Sequence, residues 1–189
     1  PTMACWPNRA HASSSCSKNF QQVMRNVLFI LHPDQDAANL HKVTDSIRLS
    51  AEAASVEFSI SEWESRDSQI DKHSPICVVF LGAGTVLTRS AVSELLKPFV
   101  SDDSTAVVYA DVNSLRLPDY SPQRLLCQNY MGQLVAISAV ELEKLGGLSA
   151  SLSTHAAVYD LLLRLSAQNV GFTHLNVVLA HSSVSWFGN

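Results

Sequence analysis

Residues 129–165, NYMGQLVAISAVELEKLGGLSASLSTHAAVYDLLLRL, constrain the fold more than any other stretch of the chain. A strand over 133–137 runs into a short helix at Ser138, whose hydroxyl can cap the first turn while Glu141 reaches back as the other half of a capping box. Gly146 and Gly147 stop that helix. After a Ser-rich loop, Val158, Leu161, Leu162 and Leu165 recur at helical spacing and form one apolar stripe, with Asp160 and Arg164 beside it. The order is strand, helix, glycine stop, loop, helix.

Upstream, the run Val27-Leu28-Phe29-Ile30-Leu31 is short, continuous and apolar, which suits a strand buried on both faces. His32-Pro33-Asp34 breaks it, Asp34 or Asp36 can cap a helix, and Leu40, Val43, Ile47 and Ala54 mark that helix's buried side. Val56, Phe58 and Ile60 alternate with Glu57 and Ser59, which predicts a second strand with one apolar face. A strand, helix, strand crossover of this length is the parallel unit of an α/β sheet, whose ligands bind beyond the carboxyl ends of the strands. The loops to examine are therefore 32–36 and 61–67.

Residues 75–81 form the most apolar strand and end in Gly82-Ala83-Gly84, which lacks the third glycine of a dinucleotide fingerprint and the Gly-Lys-Ser of a P-loop. Val92, Leu95, Leu96 and Phe99 predict a further helix, 106–110 a strand ending at Asp111, 116–122 a loop with two prolines, and 172–180 a last strand followed by His181.

A chain of 189 residues holds one domain with a sizeable core. Residues 1–25, rich in Ser, Asn and Ala, read as a flexible N-terminal arm, and 26–189 as a single domain. A net charge of −4 offers no broad basic surface, so nucleic acid is not an expected partner. Cys5, Cys16, Cys77 and Cys127 contain no Cys-x-x-Cys pair and read as free thiols of a reducing, cytoplasmic compartment. No apolar run approaches the ~20 residues that span a bilayer.

The second half of the chain resembles the acceptor-side half of family 2 glycosyltransferases of the A-type fold. The matching residues are Asn129-Tyr130, Gly146-Gly147 and Tyr159-Asp160-Leu161-Leu162-Leu163-Arg164, in the family's order. The resemblance implies an A-type glycosyltransferase-like α/β domain, a mostly parallel sheet flanked by helices and trimmed on its nucleotide side. It further implies that the first loop, with Pro33 and Asp34, and the acidic Glu62 hold the nucleotide. For Glu62 and its companions Ser65 and Asp67, a merely solvated loop stands as the alternative. Asp111 matches the first acid of the family's segment after its strand, as a nucleotide or metal contact. His181 falls where many relatives carry a metal-ligating histidine, although a lone loop histidine is more often a surface residue.

Three departures bear on chemistry. Gly82-Ala83-Gly84 stands where the family carries the Asp-x-Asp that holds a divalent metal, and glycines supply no such oxygens. The family's general base falls at Val158, which takes no proton; only a register shift of two residues would make Asp160 the base. Between 68 and 74 there is no room for the helix, strand and Gly-rich segment of the family. Two readings follow: a nucleotide-sugar-dependent transferase with impaired or lost catalysis, needing manganese or magnesium only if active, or a non-catalytic module binding a glycan, nucleotide sugar or partner. The shortened segment also predicts a homodimer or docked neighbour beside the second strand, with Trp63 as anchor, the alternative being that the N-terminal arm folds back to cover the gap within one chain.

Overall fold

The computed structural model describes residues 26–33, 37–63, 75–149 and 151–183. The expected arm at 1–25, Asp34, Ser65 and Asp67 lie outside the described residues. In chain order the elements are β1 (Asn26–Leu31), α1 (Ala37–Ala54), β2 (Glu57–Glu62), β3 (Cys77–Leu81), β4 (Thr85–Leu87), α2 (Ala91–Ser101), β5 (Thr105–Val112), α3 (Pro122–Cys127), β6 (Leu134–Ser138), α4 (Ala139–Lys144), α5 (Thr154–Ser166) and β7 (Gly171–Ser182).

Among the described residues the strands form one seven-stranded sheet in the order β2-β1-β3-β6-β5-β7-β4. β1 pairs parallel with β2 and β3, and β5 parallel with β7, while β6 is antiparallel to both β3 and β5 and β4 to β7. Every strand except β6 and β4 therefore points the same way. Their carboxyl ends share one edge of the sheet.

Alternation along β1 explains the two cores. Val27, Phe29 and Leu31 face Val43 and Ile47 of α1 and Val92, Leu95 and Phe99 of α2. Leu28 and Ile30 join Val78, Phe80, Val107, Val135 and Ile137 against Val158, Leu161, Leu162 and Leu165 of α5. The helical stripe predicted from spacing is the buried face of α5. Serines of α1 tie the first layer together, Ser46 Oγ accepting from Leu87 N at 3.0 Å and Ser50 Oγ from Val92 N at 3.0 Å. Ser50 thereby satisfies an orphan N–H in the first turn of α2.

Several local expectations need correction. The loop expected at 116–122 ends in α3, which starts at Pro122 with Ser121 Oγ accepting from Arg124 N; proline's fixed φ suits the first helical position. The capping box at Ser138 does not form, and Glu141 instead accepts from Lys144 Nζ at 2.6 Å. The last strand runs to Ser182, so His181 lies within β7 rather than after it. Trp63 is turned inward, 7% exposed, which removes it as an interface anchor. Gly146 and Gly147 do terminate α4, both with φ above +70°.

Candidate functional site

The carboxyl ends of β1, β2 and β3 meet the first turn of α5 around a pocket of about 320 Å3, part of it open to solvent. Its walls include Ile30, Phe80, Trp63 and Val158, and its polar groups come from His32, His155 and Thr154, with Gly82 and Gly132 presenting backbone. His32 is fixed by its place at the end of β1, where its N–H donates to Leu81 O at 3.1 Å. His155 Nδ1 lies 3.0 Å from His32 Nε2, in hydrogen-bond contact, with the ring centroids 4.3 Å apart. His155 and Val158 are one turn apart on α5, and both line the pocket.

Gly82 leaves β3 by donating its N–H to Gln133 O at 2.9 Å, just before β6 begins. That close approach leaves little room for a side chain: a Cβ on Gly82 would lie 3.0 Å from Gln133 Cγ and 3.1 Å from its Cβ, so Gln133 would have to give by a few tenths of an ångström. Gly84 sits at φ +64°, where side chains other than Asn and Asp are rare. Strand β4 then carries the chain against the end of β7, pairing Thr85 with Ser182 and Val86 with His181. Ser182 Oγ donates to Ala83 O at 3.3 Å.

Asp111 occupies a different place. It is 2% exposed at the end of β5, and its Oδ1 accepts from Leu117 N and from His174 Nε2, both at 2.9 Å. His174 Nδ1 also contacts Asp119 Oδ1 at 3.1 Å, and its ring stacks on Tyr109 with centroids 4.9 Å apart. Burial, with the neighbouring Tyr130 adding to it, raises the Tyr109 phenol, and its hydroxyl donates to Pro118 O at 2.8 Å. Together these contacts pin the crossing 113–121 onto β5 and β7. Asp111 is opposite Val178 in the sheet, whereas the exposed His181 is opposite Val86 on the far side of β7. The two expected metal ligands thus have different neighbours and different burial.

Asp160 accepts from Arg164 Nε at 2.9 Å, and the same guanidinium donates to Leu145 O and Gly147 O at 2.9 Å each. Pro33 and Glu62 are both exposed at the carboxyl ends of neighbouring strands, Leu31 being paired with Glu62.

This architecture matches solved structures. A mannosyltransferase from Pyrobaculum calidifontis, in complex with GDP-Man and Mn2+, superposes with a TM-score of 0.62 over 87% of this chain and 58% of its own, at 13% identity. Glucosyl-3-phosphoglycerate synthase from Mycobacterium tuberculosis, in complex with Mn2+, UDP-glucose and glycerol 3-phosphate, gives 0.58 over 96% of this chain and 79% of its own, at 12% identity. The fold is that of the A-type glycosyltransferases. In sequence, the chain is 29% identical over 115 residues to the O-antigen biosynthesis protein RfbC of Myxococcus xanthus, a match spanning 56% of this chain and 9% of that protein. No family model matches.

Val158 lines the pocket, and Asp160 is engaged by Arg164 beside it. The described residues do not fit the metal of these transferases. Gly82-Ala83-Gly84 brings no carboxylate, Asp111 is held by Leu117 and His174, and no three His, Cys, Asp or Glu side chains converge among the described residues. No helix among them is long and apolar enough to cross a membrane.

His32 opens a loop that the sequence singles out, whereas three further residues that shape this end of the domain, His155, Gln133 and His174, carry no assigned role there. His155 had a legible signal, standing three positions before Val158 on one helical face. His174 had none, since its partner Asp111 is 63 residues away.

Proposed function

We propose that this chain is a glycosyltransferase-like domain of nucleotide-sugar ancestry whose pocket binds a nucleotide sugar or glycan and in which metal-assisted transfer is lost or strongly impaired. The observation that carries this reading is the contact between Gly82 and Gln133. Where the family carries a metal-binding carboxylate, Gly82 lies under Gln133, and a side chain there would need Gln133 to give by a few tenths of an ångström. A missing divalent cation removes several kcal/mol of charge stabilisation from a departing diphosphate, and a missing base costs about 10²- to 10⁴-fold more. Val158 in the pocket supports the second loss. On this reading Asp111 serves to hold the crossing 113–121, and Pro33 and Glu62 remain the candidate nucleotide contacts.

Calorimetric titration with a panel of nucleoside diphosphates and nucleotide sugars, with and without manganese, tests the proposal, together with an assay for released nucleoside diphosphate. The expected result is binding that manganese does not strengthen and no turnover. Micromolar, manganese-dependent binding would overturn it.

A further inference from the structure

We propose that the crossing 113–121 is a strap that opens as one unit while the sheet stays folded, and that its closure is what shields Asp111 and His174 from any ligand at this end of the domain.

The strap has two fixed ends. At one, Asn113 takes the left-handed conformation, φ +57°, and its side-chain amide pairs with the backbone of Ser182, Nδ2 donating to Ser182 O and Oδ1 accepting from Ser182 N, both at 3.0 Å. At the other, Ser121 caps α3, whose Leu125 is wholly buried. Between them, no residue from Ser114 to Tyr120 is buried. Among the described residues, the backbone of 116–120 makes no hydrogen bond to other backbone.

Side chains of the body hold the strap instead. The Tyr109 hydroxyl donates to Pro118 O at 2.8 Å, the Asp111 carboxylate accepts from Leu117 N at 2.9 Å, His174 Nδ1 meets Asp119 Oδ1 at 3.1 Å, and the Tyr130 hydroxyl accepts from Ser121 N at 2.9 Å. Tyr109 touches both Tyr130, edge to face, and His174, stacked, so these fastenings form one contiguous layer and are released together. An element held by hydrogen bonds rather than by buried apolar surface opens at a fraction of the global free energy, because water replaces each lost partner. A ligand for Asp111 or His174 must displace the Leu117 N–H and the Asp119 carboxylate, which is to open the strap.

Native-state hydrogen exchange of the intact chain, followed by NMR, tests this. The Leu117 and Ser121 amides should be protected at least about tenfold less than those of β6, a strand paired on both sides, and their exchange should depend little on denaturant, since opening exposes little surface. Tyr109→Phe contacts neither amide through its lost hydroxyl, yet it should quicken both by a common factor of about three to ten. Tyr159→Phe is the control, because its hydroxyl holds Leu125 O beyond the strap: it should quicken β6, which exchanges by global unfolding, and leave Leu117 and Ser121 unchanged. Carbethoxylation of His174 by diethyl pyrocarbonate, mapped by mass spectrometry, should follow the strap, rising in Tyr109→Phe and not in Tyr159→Phe. The inference is overturned if Leu117 and Ser121 respond to Tyr159→Phe as β6 does, or if Tyr109→Phe quickens only one of them. Labelling of His174 at the parent rate in Tyr109→Phe overturns the shielding.

Discussion

Arg164 donates to Asp160 through Nε at 2.9 Å while its two terminal nitrogens hold the carbonyls of Leu145 and Gly147, so the acid orients a clamp that fastens the end of α4 to α5. Asp160 is partly exposed, and its removal should cost little, about 0.5 kcal/mol. Arg164→Ala also strips partners from two carbonyls and should cost about 1–3 kcal/mol. Asp160→Asn should leave ligand affinity unchanged. Thermal melting and titration check both statements; an Asp160→Asn chain that melts normally but loses its ligand would restore Asp160 as a pocket residue.

The crowding at Gly82 is measurable by a double-mutant cycle. Gly82→Ala forces a methyl group to within 3.0 Å of Gln133 Cγ, and overpacking of this kind costs about 1–3 kcal/mol. Truncating the neighbour in a Gln133→Ala background removes that atom, so the same substitution should then cost clearly less. Equal costs in the two backgrounds, read from denaturant midpoints, would mean that Gln133 is not what fills the space.

Asp111 and Asp119 both contact His174, yet their surroundings differ: the Asp111 side chain is 3% exposed and that of Asp119 is 98% exposed. Asp111→Ala leaves Leu117 N–H and a buried imidazole without their acceptor and should cost about 3–5 kcal/mol. Asp119→Ala should fall within about 0.5 kcal/mol of the parent. Chemical denaturation separates the two. Manganese affinity should be the same in parent and Asp111→Asn, since the carboxylate is committed within the fold.

Burial pushes the Cys77 thiol up to about 12, so it stays protonated in the folded chain at pH values where an unfolded chain has already lost that proton. The sign follows from proton binding. Above the ordinary thiol value near ~8.5 the unfolded state binds fewer protons, so stability contributed by the buried thiol falls from there up to about 12 and is constant below. At pH 8, in a Cys5→Ser, Cys16→Ser background, a thiol reagent should modify the exposed Cys127 and leave Cys77 untouched until the chain unfolds. Rapid labelling of Cys77 under native conditions would contradict this.

The sheet was legible because its signals are local. Val27 to Leu31 is apolar at every position and is buried at every position, and the stripe Val158, Leu161, Leu162, Leu165 needed only helical period to be placed. The glycines that follow β3 were visible for the same reason. What Gly82 packs against was not, because Gln133 reaches it through a pairing between β3 and β6 that no local pattern encodes. Likewise Trp63 reads in sequence as an aromatic beside a polar loop, and only the neighbouring strands and α5 turn it into a pocket wall. Chain order also separates His32 from His155 by 123 residues, so their contact depends on α5 crossing the carboxyl ends of the strands.

Self-association is the remaining expectation, and the fold now defines where to probe it. Strand β2 is at the sheet's edge among the described residues, with Ile60 37% exposed upon it and Phe58 half-buried against Phe29. An edge strand with an exposed apolar side chain pairs readily with another chain, and a lysine on such an edge opposes pairing. The parent chain should therefore sediment as a dimer at micromolar concentration, and Ile60→Lys should shift it toward monomer without lowering its melting temperature, because Ile60 contributes little to either core. Trp63→Ala should act differently, lowering stability through lost packing rather than changing the dimer directly, since the indole is buried in its own chain. A parent that remains monomeric well above micromolar concentration would remove the partner from the β2 edge.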